Sequence, residues 1–388
     1  MDIASKLPDI GTTIFTVMSR RARELGALNL GQGFPDYDID PRLIELVTAA
    51  MATGHNQYAP MEGTLALREQ IAQKIASCYA VTNDPESEIT ITLGATEAIY
   101  SAIQATVGPG DEVILFDPSY DSYDPAVRLA GARAVRLPLR LPDFRYDWEQ
   151  MRAAITERTR LVIINSPHNP ACTVVSDADL DALAEAVRGW NIAVLSDEVY
   201  EHVVFDGRKH CSVLAHEELR ARSFAVFSFG KTLHATGVRV GYCIAPADLT
   251  RELRKVHQFN TFSIAHPFQH AISAYLARAP EVWQGLSAFF QAKRDRVRDA
   301  LAGSGFMLPA AEGTYFQLLD FSALDACDDG SFAERLLNEA GVATIPLSPF
   351  YARPPRLTAV RLCIAKRDDT LDAGAERLNA FARRLQRK

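Results

Sequence analysis

The chain has 388 residues, 48% of them hydrophobic, which is enough to bury a full core and long enough for two domains or one large domain with an appendage. Its 41 basic and 48 acidic residues leave a formal net charge of -7, so no broad positive footprint for nucleic acid exists and any anion must be met locally. The six cysteines are scattered without a C-x-x-C pair, which argues against the common zinc and redox motifs and fits a reduced, cytoplasmic setting.

The amino terminus, MDIASKLPDI, lacks the apolar stretch of a secretory signal, and no uninterrupted apolar run is long enough to span a bilayer. A soluble protein is expected. The first 45 residues mix Gly, Pro and polar residues without a clear period and are expected to wrap around the rest. Within them Gly31 and Gly33 begin a G-x-G pattern, but Asp36 holds the third glycine position, so the dinucleotide fingerprint fails. Leu67, Ile71, Ile75 and Cys78 recur at helical spacing and are expected to face the core.

From Glu88 onward, short β-branched runs alternate with helical patterns, the mark of a mostly parallel sheet covered by helices on both faces. Strands are expected at Ile89 to Leu93, Val113 to Asp117, Leu161 to Asn165, Ala193 to Ser196, Phe224 to Ser228 and Tyr242 to Ala245. One covering helix carries Leu180, Leu183, Val187 and Trp190, with Ser176 and Asp179 as its start signal. Beyond about residue 285 the order becomes helix, strand at Tyr315 to Leu319, helix at Phe332 to Ala340, strand at Val360 to Ile364 and a final amphipathic helix, which reads as a smaller α+β domain. The expected division is an N-terminal segment (1–45) belonging to the small domain, a large α/β domain (46–285) and a small C-terminal domain (286–388).

Eight lysines occur, and seven lie in polar, charged or terminal settings; Lys231 alone directly follows an apolar strand, in FAVFSFGK. The carboxyl edge of such a sheet is where ligands bind, and an amine desolvated there becomes a nucleophile toward carbonyls. A surface turn lysine is the bland alternative. Asp197 ends another buried strand, IAVLS, and needs a cationic partner such as a protonated pyridine nitrogen, unless it caps a following helix. Gly94, Ala95 and Thr96 open a helix after a strand, so free backbone N–H groups suit a phosphate there, as they would an ordinary turn. Arg239 precedes the strand GYCIAP, and Arg361 lies inside AVRLCIA, where bidentate recognition of phosphate or carboxylate competes with a structural ion pair. The nine histidines show no ligand pairing, and no metal site is expected.

Taken together, LGQGFPD (Leu30 to Asp36), NQYAP (Asn56 to Pro60), GATEAI (Gly94 to Ile99), DPSYDSY (Asp117 to Tyr123), NSPHNP (Asn165 to Pro170), SDEVY (Ser196 to Tyr200), SFGK (Ser228 to Lys231) and VRLCIAK (Val360 to Lys366) resemble the class I and II aminotransferases of fold type I. The likeness spans nearly the whole chain and is strongest to the branch with the methionine and kynurenine enzymes. It implies a large, mostly parallel seven-stranded sheet, pyridoxal 5'-phosphate (PLP) as cofactor, and a homodimer with shared sites. By that resemblance Lys231 holds the cofactor as a Schiff base, Asp197 pairs with its ring nitrogen, and Asn169 and Tyr200 bind its phenolic oxygen. Tyr120 stacks on the ring. Gly94, Ala95, Thr96, Ser228 and Arg239 hold the phosphate, reached also by Tyr58 of the neighbouring subunit. Arg361 clamps the substrate carboxylate, assisted by Gly33 and Asn169.

The substrates implied are an amino acid and a 2-oxo acid. Ile14, Phe15, Tyr58, Tyr123, Phe262 and Phe350 are the candidates for the side-chain pocket; their apolar character favours methionine, aromatic residues or glutamine over aspartate. Phe15 stands where the kynurenine enzymes are expected to carry tryptophan, which weighs against kynurenine as the main donor. Two rivals remain: a β-elimination lyase acting on cysteine conjugates or cystathionine with the same cofactor, and a non-catalytic regulator. The regulator would need a DNA-binding helix-turn-helix and a basic face, for which the chain has no room.

Overall fold

The computed structural model describes residues 3–387 and contains twelve strands in that range. In chain order they are β1 (Leu28–Asn29), β2 (Ile89–Thr92), β3 (Glu112–Asp117), β4 (Arg133–Pro138), β5 (Thr159–Asn165), β6 (Ala193–Asp197), β7 (Ser223–Ser228), β8 (Gly241–Ile244), β9 (Phe316–Asp320), β10 (Val342–Ala343), β11 (Ile345–Pro346) and β12 (Ala359–Cys363).

Seven of them form the main sheet in the order β2-β8-β7-β6-β5-β3-β4. Pairing is parallel from β7 through β6, β5 and β3 to β4, while β8 runs antiparallel to both of its neighbours. Every residue of β2, β3, β7 and β8 is buried, because helices cover both faces and continuous apolar runs are what such strands require. The expected strands are therefore present within a residue or two of their ends. The seventh, β4, has a mostly half-exposed pattern at the sheet edge, and its alternation of Arg and apolar residues hid it from a reading that looked for buried runs.

Several helical expectations shift. The segment before residue 45 is not without period: Ile14–Glu24 is a helix capped by Thr13, with Met18 and Ala22 buried beneath a charged outer face. The helix Leu65–Tyr79 buries Leu67, Ile71 and Ile75, but Cys78 is exposed at its frayed end, and Arg68 and Lys74 take its place on the buried side. Ser176 and Asp179 do form a reciprocal capping box, yet that helix ends at Val187, leaving Trp190 outside it and 41% exposed. The expected helix at Phe332 to Ala340 is an α-helix over Asp329–Arg335 continued by a wider π-turn over Leu336–Ala340.

A second, antiparallel sheet has the order β11-β12-β9 and places Arg361 opposite both Leu318 and Ile345. The chain's two ends meet in a small parallel ladder, where Leu28 pairs with Val342 and Asn29 with Ala343. Just beyond it, Leu30 accepts the N–H of Cys363 at 2.7 Å and donates its own N–H to Ala343 at 3.0 Å. The leading segment is thus stitched to the same sheet that carries Arg361.

Candidate active site

Parallel strands end together, so their last residues converge on one edge. Asn165 and Asp197, the last residues of β5 and β6, are register partners, and Ser228, the last of β7, is the partner of Gly241 at the start of β8. Against this edge lies a cavity of about 310 Å³. Its charged lining consists of Lys231, Arg239, Arg361 and Asp197, three cations to one carboxylate, which suits a ligand bearing more than one negative group.

Lys231 sits in the short helical turn Phe229–Thr232 that follows β7. Desolvation lowers its amine to about 8, with Arg239 and Arg361 adding to the effect while Cys363 and Asp197 oppose it. Its Nζ lies 5.4 Å from the ring centre of Tyr315 and 5.8 Å from that of Tyr200, and has no hydrogen bond or ion pair among the described residues. The other lysines are not all in solvated settings, as the sequence suggested. Lys74, Lys293 and Lys366 are more buried than the half-buried Lys231, but each is engaged, Lys74 with Glu201 at 2.5 Å, Lys293 with Asp368 at 2.8 Å and Lys366 with the carbonyl of Phe34 at 2.8 Å. What distinguishes Lys231 is the lack of a partner rather than burial alone.

Asp197 is 4% exposed, and no helix follows it, so the capping alternative falls. Its carboxylate accepts from Tyr123 Oη at 2.5 Å and from Val199 N at 3.4 Å. Desolvation raises its carboxyl to about 6 against those hydrogen bonds, and no cation lies within ion-pair distance among the described residues. The Asp197 carbonyl accepts Asn165 Nδ2 at 2.8 Å, and Asn165 Oδ1 accepts the N–H of Asn169 at 2.7 Å, so two strand-end residues and one from the turn after β5 form one frame.

The turn into the helix Gly94–Thr106 needs glycine, because Gly94 has φ of +71° and an added Cβ would stand 2.6 Å from Arg239 Nη2. Gly241 has the same kind of role, since its Cβ would meet the Gly94 carbonyl carbon at 2.7 Å and Ala95 N at 2.8 Å. The first N–H groups of that helix have no acceptor within it, and Ala95, Thr96, Ser228 and Arg239 face the cavity together.

Arg361 is 1% exposed. It donates to Asn169 Oδ1 at 2.5 Å and to the Gly31 carbonyl at 3.1 Å, and its guanidinium lies 3.8 Å from the ring centre of Phe316 and 5.1 Å from that of Phe15. It has no carboxylate partner among the described residues, which removes the ion-pair alternative, and its Nε is buried without an acceptor. Tyr200 packs edge-on against Tyr315, whose phenol donates to the Gly33 carbonyl at 2.6 Å; burial holds both phenols far above their ordinary titration range. The model for aminotransferase class I and II matches residues 26–378.

The chain belongs to the class I and II aminotransferases.

Among its relatives, the aminotransferase is 53% identical to the methionine aminotransferase of Escherichia coli over 96% of this chain and 97% of that one. It is 31% identical to the rat kynurenine–oxoglutarate transaminase 3 over 96% of this chain and 89% of the relative. A crystal structure from Escherichia coli with methionine aminotransferase function superposes with a TM-score of 0.96 at 52% identity, covering 98% and 100% of the two chains. The fold is thus the fold type I arrangement that the sequence resemblance implied.

Of the aminotransferase residues singled out from sequence, Lys231, Asp197, Tyr200, Ala95, Thr96, Tyr120, Asn169, Ser228, Arg239, Phe15, Gly33 and Arg361 all line the one cavity. Gly94 stands behind it under Arg239. The side-chain pocket candidates divide. Only Phe15 lines the cavity; Ile14 and Phe350 line a neighbouring hollow. Tyr123 is not a pocket wall but lies buried beneath Asp197, a role the reading from aromatic character missed. Tyr58 and Phe262 lie outside the cavity of their own chain, 5.4 Å apart, with Tyr58 82% exposed. Sequence reasoning also missed Thr13, Thr16, Gln32, Ile99, Val199 and Phe316 in the lining, along with Asn165. Asn165 was findable, since it ends an apolar strand just as Asp197 does.

Proposed function

We propose that this aminotransferase works with PLP attached at Lys231 and takes the α-amino group from an uncharged amino acid, methionine foremost, for transfer to a 2-oxo acid. One observation carries the reading: an unpaired, desolvated lysine shares a cavity with a buried carboxylate lacking a cation and with a buried arginine lacking a carboxylate partner, its Nε without an acceptor among the described residues. Each of these groups is costly alone, and a single zwitterionic, phosphorylated ligand set offsets all three.

The residues present fit the cofactor. Ala95 and Thr96 with Ser228 and Arg239 would hold the phosphate, and the missing Cβ at Gly94 gives Arg239 its place. Asp197 would pair with the ring nitrogen, Asn169 and Tyr200 would bind the phenolic oxygen, and Tyr120 would cover the ring face. When bound, PLP supplies an aldehyde that joins amines and a ring that accepts electrons as the substrate Cα–H bond breaks. Arg361, with Asn169 and the backbone at Gly33, grips the α-carboxylate and so orients Cα toward Lys231. Lys231 Nζ then takes the proton from Cα and returns it, acting as base and acid in turn. Phe15 and Phe316 keep water from the guanidinium that does the gripping.

Methionine is favoured for two reasons. The relative with 53% identity is a methionine aminotransferase. With Arg361 on the α-carboxylate, Arg239 at the phosphate and Lys231 committed to the cofactor, the described lining holds no further cation for an acidic side chain, while Phe15, Ile99 and Val199 offer apolar surface. The same reading takes the enzyme as a cytoplasmic homodimer, with the exposed Tyr58 reaching the neighbouring site; among the described residues no helix is long and apolar enough to cross a membrane. It also divides the chain into a large domain of residues 46–285 and a small domain built from both ends.

The test is an absorbance spectrum with and without methionine. A visible band that bleaches toward the near ultraviolet on adding the amino acid supports the proposal, as does borohydride trapping of a pyridoxyl adduct on the SFGK peptide. An adduct elsewhere would overturn the assignment of Lys231. Aspartate as the best donor would overturn the substrate class, and pyruvate with ammonia formed without an amino acceptor would favour a lyase.

A further inference from the structure

Behind the turn that faces the cavity, the structure holds a buried polar chain that no step of the proposed reaction uses. His257 lies in the helix Ala247–Asn260 and is 0% exposed. Its Nδ1 stands 3.0 Å from Glu97 Oε1, and its Nε2 lies 2.9 Å from the carbonyl of Met61. A carbonyl only accepts, so Nε2 donates there, and the Nδ1–Glu97 hydrogen bond is made by a second proton shared between the imidazole and the Glu97 carboxyl.

Glu97 in turn reaches the turn itself. Its Oε2 accepts the N–H of Leu93 at 3.1 Å, and its Oε1 accepts Ser101 Oγ at 2.6 Å. Leu93 precedes the helix Gly94–Thr106 and offers no side-chain cap to it. From the other side Thr92 Oγ1 donates to the Gly94 carbonyl at 3.1 Å. The direction in which the N–H groups of Gly94, Ala95 and Thr96 point is therefore set by two side-chain anchors, Thr92 and Glu97, and the second is held by a histidine brought from 160 residues along the chain.

We infer that His257 is a positioning residue for the anion cradle at Gly94–Thr96, acting through Glu97 on the Leu93 turn, and that it tunes the enzyme's grip on the phosphate without touching it. The inference rests on the cradle reading above. Without the imidazole, the Glu97 carboxylate is left buried with one partner fewer and turns to recover it, which releases Leu93 N–H and splays the following N–H groups. Asp197 and Lys231 stand on β6 and after β7, outside this chain of contacts, so attachment and ring recognition are untouched.

The experiment compares PLP with pyridoxal, which has the same ring and aldehyde but no phosphate. Each is titrated into cofactor-free enzyme and followed by visible absorbance, for the wild type, His257→Asn and Glu97→Ala. The expected result is a dissociation constant for PLP raised about tenfold in both variants, the size of one lost charge-assisted hydrogen bond, with pyridoxal changed less than about twofold. An equal loss for both ligands would mark His257 as a structural residue only and overturn the inference, as would no loss for either. Should His257→Asn fail to fold by circular dichroism, Glu97→Ala decides alone, because it removes the acceptor of Leu93 N–H together with the partner of His257. A wild type that binds pyridoxal as tightly as PLP would instead sink the cradle reading itself, which separates the two failures.

Discussion

Tyr123 and Asp197 are joined by a 2.5 Å hydrogen bond in which the buried phenol is the donor and the strand-end carboxylate the acceptor. This contact opposes the desolvation that lifts the carboxyl to about 6. In the cofactor-free protein the folded state holds the Asp197 proton more tightly than the unfolded chain does. That contribution to stability is complete below the ordinary carboxylate range and is lost as pH rises through about 6. A ring cation restores it, so cofactor affinity falls as pH drops through the same region. Tyr123→Phe removes the donor and is expected to move the midpoint of cofactor affinity from about 6 toward about 7, with the fold retained. Absorbance titrations across pH check this, and an unmoved midpoint refutes it.

Lys231 titrates in the opposite sense. Its amine is lowered to about 8, so in the cofactor-free enzyme the reactive neutral form appears as pH rises to about 8 rather than above 10. The rate of condensation with added PLP is expected to climb to a plateau near that pH, and stopped-flow absorbance measures it. Lys231→Ala is expected to bind the cofactor without covalent attachment and to lose about 10²- to 10⁴-fold or more in turnover. Wild-type transamination in that variant would remove the assigned role.

Arg361 is held by Asn169 Oδ1 and the Gly31 carbonyl while its Nε has no acceptor. Arg361→Lys keeps the charge and loses the planar fork, so kcat/KM for methionine is expected to drop about 10²-fold, largely through KM. The visible spectrum is expected to stay unchanged, because the lysine substitution leaves the Lys231 side of the cavity alone. Steady-state kinetics beside that spectrum distinguish the substrate clamp from a general loss of structure.

Gly94→Ala places a Cβ 2.6 Å from Arg239 Nη2 on a backbone with φ of +71°. The strain costs about 1–2 kcal/mol, and the flexible end of Arg239 yields before the backbone does. The expected outcome is faster loss of the cofactor on dialysis with nearly unchanged thermal unfolding of the cofactor-free protein. Equal cofactor retention in the two proteins would show that Arg239 has no part in holding it.

The sheet was legible because buried parallel strands leave a signature that neighbours cannot mask: β5, β6 and β7 are apolar on both faces and end in a polar residue. That same ending marked Asp197 and Lys231, and it marks Asn165 as well. What escaped was set by distant contacts. Lys74 looks solvated beside Gln73 and Glu69, but its ammonium meets Glu201, which lies 127 positions away, together with the phenol of Tyr242. The helix Ile14–Glu24 was hidden by its charged face, and β4 by its place at the edge. Phe316 could not be found from its strand, because its ring faces partners distant in sequence, the Arg361 guanidinium and the Gly33 backbone, where a Cβ would stand 2.7 Å from the ring.

The ladder joining Leu28–Asn29 to Val342–Ala343, with the Leu30 carbonyl that follows it accepting Cys363 N–H, ties the leading segment to the Arg361 strand. Trimming the chain past Leu30 would strip Cys363 of the carbonyl that accepts its N–H and, one residue further, deprive the guanidinium of its Gly31 tether. A shortened enzyme would therefore keep its main sheet and its lysine yet lose part of the frame that steadies the arginine for the acid end of its substrate.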